Sequence, residues 1–519
     1  MYSLTKVAMS TRAGRVISCT FSNDDSCFTL PSVLYALPDG STTIGHPPSQ
    51  EDSWIAVNWF KMSLLHSSDW PDRAKCSLLL QKSHDAALSL SKTPVDVMAE
   101  YLSQLWPMVE RFAQKRALCG NGGFSGQNLH LVLTVPASWP VDAMARMERA
   151  VKEAGILEAT QSSTLTFLRE QAAAAAACVS KASLSASFQH GDWVGIVDCG
   201  GLTGDGATYE VSIRESGYLL NETVAGTSKL CGAMFLEDNF YKLLKKKIAE
   251  NGAIIQPAAQ FWAKTAKWWE TTGRAIMFMC NKESEIDFPH QFECRDAPSM
   301  SISFSGMEFL QIRESVMEEV VDLVQAQVLA TCERLGRPPK CVFLCGGLVM
   351  DSAVAREVGS RITPKTRIIG RNRDLRLVAC GAVTSVLCNY PGEGPRITTE
   401  SHLARENYGY RSRDDQPTFW IIKQGDTLST TRPSSFSVPP TAFQARNTAF
   451  GQCLTLSVYR HGPSSSGEQK LGRLTWTAPP VLSPEDKVDL QVLHDTYRGI
   501  SMFLYHNGTR FGPEKVSLD

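Results

Sequence analysis

Trp193-Val194-Gly195-Ile196-Val197-Asp198-Cys199-Gly200-Gly201-Leu202-Thr203-Gly204-Asp205-Gly206 is the stretch on which the reading of this chain turns. An apolar run leads into a glycine-rich turn, and Tyr209-Glu210-Val211-Ser212-Ile213 follows it. The pattern predicts strand, tight turn and strand, hence a β-hairpin. Glycines at the turn let backbone N–H groups face an anion with no Cβ in the way. Asp198 and Asp205 flank the turn, and carboxylates beside such a cradle suit Mg²⁺, a hard cation that takes oxygen ligands. Thr203 adds a hydroxyl between them. An ordinary hairpin with an Asp/Gly turn has the same local pattern.

The chain has 519 residues, 43 % apolar and 20 % charged, with a formal net charge of −1. These values describe a globular protein of roughly two to four domains. The near-zero charge argues against bulk attraction to nucleic acid or to an anionic membrane. No run of about 18 apolar residues offers a membrane span, and the first residues lack a signal-peptide layout. Fifteen cysteines occur without a C-x-x-C pair. They point to buried thiols in a reducing cytoplasmic or nuclear setting and against a zinc site.

Outward from the hairpin, strands and helices alternate over residues 1–390, which predicts an α/β architecture. Residues 94–118 carry apolar positions at helical spacing. Leu129–Val135 reads as a buried strand, and a helix follows to Ala154, stopped by Gly155. Thr164–Leu168 is a further strand, and Glu170 stands where it meets the alanine run 172–177, a strong helix former. A carboxylate there complements a helix dipole or faces a site before the strand end. Lys61 lies among apolar neighbours, as a snorkelling lysine would. Thr223–Gly232 reads as a second glycine-bearing loop. Ala263–Thr272 is a helix with Lys264, Lys267, Trp268 and Trp269, and Met307–Leu335 is the longest helix. Cys341–Cys345 is a strand that opens into Gly346-Gly347, a junction that permits close backbone approach. Leu377–Val383 starts the last helix. Residues 391–415 read as a linker and 416–519 as a small all-β domain.

Four segments in order resemble the nucleotide-binding domain of the seventy-kilodalton heat-shock (DnaK-type) chaperones. These are Leu133–Trp139 with its helix, Glu170 with the alanine run, Asp198–Asp205, and Leu344–Gly347 with the helix of Val378–Val383. The details are most similar to a divergent, lid-less branch: Pro136–Trp139, Tyr408-Gly409 and Phe419–Gly425 carry that likeness. The resemblance implies a two-lobed actin-like ATPase (ribonuclease H-like) fold over 1–390, followed by the β domain, with ATP or ADP and Mg²⁺ as cofactors. It implies a protein client or partner on the β domain. By the same likeness Lys61, Glu170 and Thr203 are catalytic, and Asp198 and Asp205 lie near the metal. Gly200, Gly201, Leu202, Gly226, Gly232, Lys267, Trp268, Gly346 and Gly347 bind the nucleotide.

The departures are specific. Leu202 replaces a third glycine, Thr227 a common acid, Trp268 an arginine and Leu375 an acid, with Asp374 adjacent. Leu348-Val349-Met350 lacks an arginine. Met1-Tyr2-Ser3 aligns with the end of the family's first phosphate loop, so the resemblance implies that the family's first strand and that loop's acid and Gly-Thr-Thr are lacking from this sequence, through a mis-called start or a real absence. Three functions stay open on this reading: a chaperone-like ATPase, a pseudo-ATPase scaffold, and a small-molecule kinase of the same superfamily.

Overall fold

A computed structural model describes residues 4–10, 16–22, 27–48, 54–157, 162–180, 188–215, 217–251, 253–254, 258–294, 300–349, 352–370, 375–387, 396–404, 406–411, 416–429, 433–448, 451–461, 468–478, 486, 488–495, 499–506, 509–514 and 517–518. Met1–Ser3, Met350 and Asp374 lie outside them.

The chain opens with short strands: β1 (Leu4–Thr5), β2 (Ala8–Met9), β3 (Ile17–Ser18), β4 (Leu30–Pro31), β5 (Val33–Ala36), β6 (Thr42–Ile44) and β7 (Ile55–Asn58). Helices α1 (Phe60–Ser63), α2 (Asp72–Lys75), α3 (Leu78–Ser89) and α4 (Pro94–Lys115) follow. Thr93 and Asp96 cap α4 reciprocally, with Pro94 in its first turn, where a missing N–H costs nothing.

Next comes a parallel β-α-β-α unit: β8 (Asn128–Val135), α5 (Val141–Glu153), β9 (Ser162–Arg169) and α6 (Glu170–Ser180). Glu170 is the first residue of α6, at the junction expected. Gly155 follows α5 at φ +70°, a left-handed conformation suited to glycine.

Strands β10 (Asp192–Cys199) and β11 (Gly204–Arg214) form the expected hairpin, with Asp198 opposite Asp205. Strand β12 (Gly217–Lys229) pairs antiparallel with β11 through Lys229, opposite Gly204. This corrects the loop expected at Thr223–Gly232: Thr223 to Lys229 are strand, and Gly226 lies inside it. The β-branched residues Thr223, Val224 and Thr227 suit a pleated surface.

Helix α7 (Met234–Glu250), the β13 (Ala253–Ile254), β14 (Glu285–Cys294) and β15 (Met300–Ser305) sheet, and helices α8 (Ala258–Trp268), α9 (Arg274–Met279) and α10 (Gly306–Leu335) complete this region. Ser305 and Glu308 form the capping box of α10, and Gly336 ends it at φ +75°. A second β-α-β-α unit closes the α/β part: β16 (Cys341–Cys345), α11 (Ser352–Arg361), β17 (Ile368–Gly370) and α12 (Leu377–Leu387).

Strands β18 (Arg396–Leu403), β19 (Asn407–Arg411), β20 (Phe419–Ile422) and β21 (Thr427–Ser429) follow. The span expected to be a linker therefore contains two strands. β18 pairs parallel with β12, and β21 adds to β18, so the main mixed sheet runs β17-β16-β10-β11-β12-β18-β21. Buried Glu222 helps fix this join by accepting from the N–H of Leu403 at 2.9 Å. From residue 434 to 518 the described elements are strands and one short 3-10 turn, in antiparallel sheets.

The alanine run has a packing role: Ala172 to Ala177 are all buried beneath the main sheet beside α12. The helices approach so closely that a Cβ on Gly381 would lie 1.8 Å from the carbonyl oxygen of Ala173. Gly381→Ala should therefore cost about 3 kcal/mol, the upper range for overpacking. A fall in the urea midpoint with unchanged slope would report it. Gly120→Ala, where an added Cβ meets nothing within 4 Å, should change little.

Candidate functional site

The hairpin turn is held by backbone on two sides. Gly200 N–H donates to the Thr203 carbonyl at 2.9 Å. The N–H groups of Gly232, Ala233 and Met234, at the start of α7, donate to the carbonyls of Leu202 (2.9 Å), Gly200 (3.2 Å) and Gly201 (2.7 Å). Orphan donors of a helix N-terminus are thus satisfied by the turn itself. A Cβ on Gly232 would come within 2.4 Å of the backbone of Gly201 and Leu202. Leu202 packs against the neighbouring apolar core. On the other side, Gly346 at φ +100° brings the β16 turn against Cys199 and Asp198: a Cβ there would stand 2.2 Å from the Cys199 carbonyl oxygen.

Lys61 and Glu170 converge from elements far apart in sequence. Lys61 Nζ lies 2.6 Å from Glu170 Oε1 and 3.3 Å from the carbonyl oxygen of Thr134. It also sits 5.5 Å from the centre of the Trp139 ring. Trp59, just before α1, takes φ 58°, an uncommon conformation for a side chain of that size. That strained turn places Lys61. The amine is engaged by a carboxylate rather than reaching freely into water.

The two hairpin acids have different surroundings. Asp205, 1 % exposed, accepts from Ala137 N–H (2.8 Å), from Thr203 Oγ (2.7 Å) and from Ser228 Oγ. Its carboxylate is engaged by these donors and lines neither of the two cavities. Asp198, 6 % exposed, faces the larger cavity with Glu170, Gly200, Gly201, Gly346 and Gly347. Burial, then Glu170, then Asp205 push Asp198 up to about 7, against the opposing effect of Lys6. Burial and Glu170 lift Asp205 to about 6, while its donors hold it down. Lys6 is a site residue the sequence reading missed: burial lowers its pKa, while Asp198 and Glu170 oppose that shift. Its signal was the one charged side chain among residues 1–11.

A second cavity of about 690 Å³ adjoins the larger one and shares Trp59, Lys61, Glu170, Gly200 and Gly201 with it. Leu202, Thr203 and Gly226 line it with the Pro136–Trp139 loop, Arg169 and Arg460. Arg169 Nη1 donates to the carbonyls of Pro136 and Trp139, both at 2.9 Å. Arg460, from the C-terminal sheets, pairs with Asp142 of α5 at 3.2 Å and with Glu406 at 3.3 Å. Arg169 and Arg460 were not singled out from the sequence, where nothing local sets them apart.

Two expected nucleotide contacts stand elsewhere. Lys267 is exposed and lines neither cavity. Trp268 packs in the core, 5.6 Å from Phe240 and 5.1 Å from Phe288 between ring centres. A π-helical turn, Trp269–Gly273, follows, a feature frequent at functional sites. Beyond it Arg274 donates to the Gly347 carbonyl at 2.8 Å, so Arg274 rather than Lys267 ties this helix to the glycine junction.

Among the described residues, no cluster of three or more His, Cys, Asp or Glu could cage a metal ion. Mg²⁺ needs no such cage: it binds through one or two carboxylates, with waters and phosphate completing its shell. Asp198 and Glu170 fit that donor set. No protein-family model matches the chain, and no curated protein matches it either.

The folded protein keeps protons on Asp198 and Asp205 that an unfolded chain releases above about pH 4. Stability therefore falls as pH rises from about 4 to 7. Asp198→Asn should remove much of that slope. It should be more stable than the parent at pH 8, by up to about 4 kcal/mol, and similar to it at pH 4. Equal offsets in urea midpoint at both pH values would rule out the titration.

Proposed function

We infer that residues 1–390 form a two-lobed actin-like nucleotide-binding domain that takes ATP–Mg²⁺, and that the C-terminal β domain holds a protein or peptide partner. The observation that carries this reading is the convergence of Lys61, Glu170, Asp198, Gly200-Gly201 and Gly346-Gly347 around one cavity. Asp198 and Glu170 would face a hydrated Mg²⁺, Lys61 the terminal phosphate, Thr203 the same end from the adjoining cavity, and Gly346-Gly347 the nucleoside side. Bound ATP–Mg²⁺ would supply a phosphoanhydride open to in-line hydrolysis, chemistry that depends mainly on positioning and charge neutralisation.

The same reading assigns coupling to the rim. Asp205 holds Ala137, Arg169 holds the loop around it, and Arg460 joins α5 to the C-terminal sheets. These contacts lie between the turn and the partner domain, and differential nucleotide affinity would shift populations across them.

Specific observations favour a second reading, a pseudo-ATPase scaffold. The three N–H groups at the start of α7 are taken by the turn's own carbonyls, and Asp205 already accepts from three donors. A chain so arranged would bind nucleotide with little turnover.

Calorimetry with ATP–Mg²⁺ tests both. Heat of binding should appear with Kd below 100 μM, about −5.5 kcal/mol or stronger. No heat at that concentration sinks the nucleotide reading. Release of phosphate separates ATPase from scaffold. In the ATPase case, Lys61→Ala should reduce turnover at least tenfold with less effect on affinity, while equal losses would assign Lys61 to binding alone. Arg460→Ala should leave affinity unchanged while abolishing any nucleotide-dependent change in hydrogen exchange of β19.

A further inference from the structure

The larger cavity, about 850 Å³, is walled mainly by apolar side chains. Among the described residues, two acids and two lysines line it, and no other Asp, Glu, Lys or Arg does: Asp198, Glu170, Lys6 and Lys61. The charges match in number without a metal ion. Lys61 Nζ takes one oxygen, Glu170 Oε1, at 2.6 Å. Lys6 is the other cation, and the acids that act on it most strongly are Asp198 and then Glu170. In turn Lys6 favours the ionised form of Asp198, against burial, Glu170 and Asp205. A carboxylate withdrawn from water is costly unless such a partner stands beside it.

The backbone fixes Lys6 in this place. Thr5 ends β1, which pairs with β4. Thr5 Oγ lies 2.8 Å from Ser32 Oγ and 2.7 Å from the Tyr101 hydroxyl of α4, so its side chain is held on the α4 side. The Val7 carbonyl accepts from Cys19 N–H at 2.8 Å. Lys6 stands between these two anchors. Successive side chains along an extended segment point opposite ways, and Lys6, next after Thr5, is on the side of the acids. An ammonium group and Mg²⁺ ask for the same carboxylate oxygens. One positive charge beside them disfavours the arrival of another.

We propose that Lys6 is the resident counterion of the Asp198–Glu170 pair and competes with Mg²⁺ for it, so that a divalent cation reaches these acids only by displacing the Lys6 ammonium. Lys6 is thus a positioning residue that sets the selectivity of the site against the free metal ion, while Lys61 keeps its own oxygen of Glu170. The proposal rests on the assignment of the two acids to a metal made above. Its test uses the metal alone, without nucleotide.

The test is titration of the 519-residue chain with Mn²⁺, an oxygen-seeking stand-in for Mg²⁺, followed by the paramagnetic resonance of the free ion. A proton would also neutralise the pair, so the titration runs at about pH 8, above the value of about 7 to which Asp198 is lifted. Lys6→Met and Lys6→Gln, which remove the charge, should bind Mn²⁺ about tenfold more tightly than the parent, or better, and added Mg²⁺ should displace it. Lys6→Arg, which keeps the charge, should bind as the parent does. Equal affinity in the parent and the uncharged variants, or the same tightening in Lys6→Arg, overturns the proposal and leaves the metal assignment standing. No binding by any folded chain at about 10 mM ion overturns both. Asp198→Asn added to Lys6→Met should abolish the gain, and a gain that survives it overturns the proposal. If the uncharged variants fail to fold, acetylation of amines in the parent decides. Saturating Mn²⁺ should raise modification of Lys6 several-fold and leave the exposed Lys267 unchanged. An unchanged rate at Lys6 overturns the proposal.

Discussion

The buried carboxylate of Asp205 is the interaction on which the rest depends. It lies on the hairpin of the main sheet, yet one of its oxygens accepts from the backbone of Ala137, 68 residues earlier. Thr203 and Ser228 hold it as well, one from the turn and one from β12. A carboxylate so deeply buried is costly unless donors surround it. Here the donors come from three separate segments, so satisfying one charge also sets the first β-α-β-α unit against the hairpin. Removing a single donor would leave the charge poorly compensated.

Close backbone contact then places the remaining groups. Gly346 and Gly232 bring their neighbours against the turn at distances no side chain permits, and Gly381 does the same for α12 on α6. These contacts give two neighbouring acids opposite duties. Asp205 accepts three hydrogen bonds from the surrounding chain and lines neither cavity. Asp198 lacks such a set, faces a cavity and is lifted by burial and by Glu170 toward neutrality. Lys61 and Glu170 form a preorganised pair beside it. Groups with perturbed ionisation around a concave space are what a binding site requires, at the expense of stability near neutral pH.

The C-terminal strands share in this arrangement. β18 and β21 extend the main sheet, and Arg460 reaches α5. The two parts of the chain are thus joined by strand pairing and by a half-buried ion pair, so a displacement of the Pro136–Trp139 loop has elements to act on beyond the cavity.

What the sequence determined by itself was local. Apolar runs broken by glycine marked β8, the β10–β11 hairpin and β16. The 3.6-residue period marked α4 and α10, whose caps at Thr93 and Ser305 lie within three residues of the groups they bind. The hairpin acids, Lys61, Glu170 and Gly346-Gly347 were legible because each sits at an end or turn of such an element. Tertiary structure alone decided which of them meet. It drew Thr223–Lys229 into a strand that the glycine had marked as loop, and carried residues 396–403 into the main sheet. It turned Trp268 toward Phe240 and Phe288, and it brought Lys6, Arg169, Arg274 and Arg460 to the site from segments with no motif of their own. The reason is physical: periodicity and turn chemistry act over a few residues, whereas the pairing of a strand edge, the burial of an indole and the neutralisation of an acid depend on partners that only the folded chain supplies.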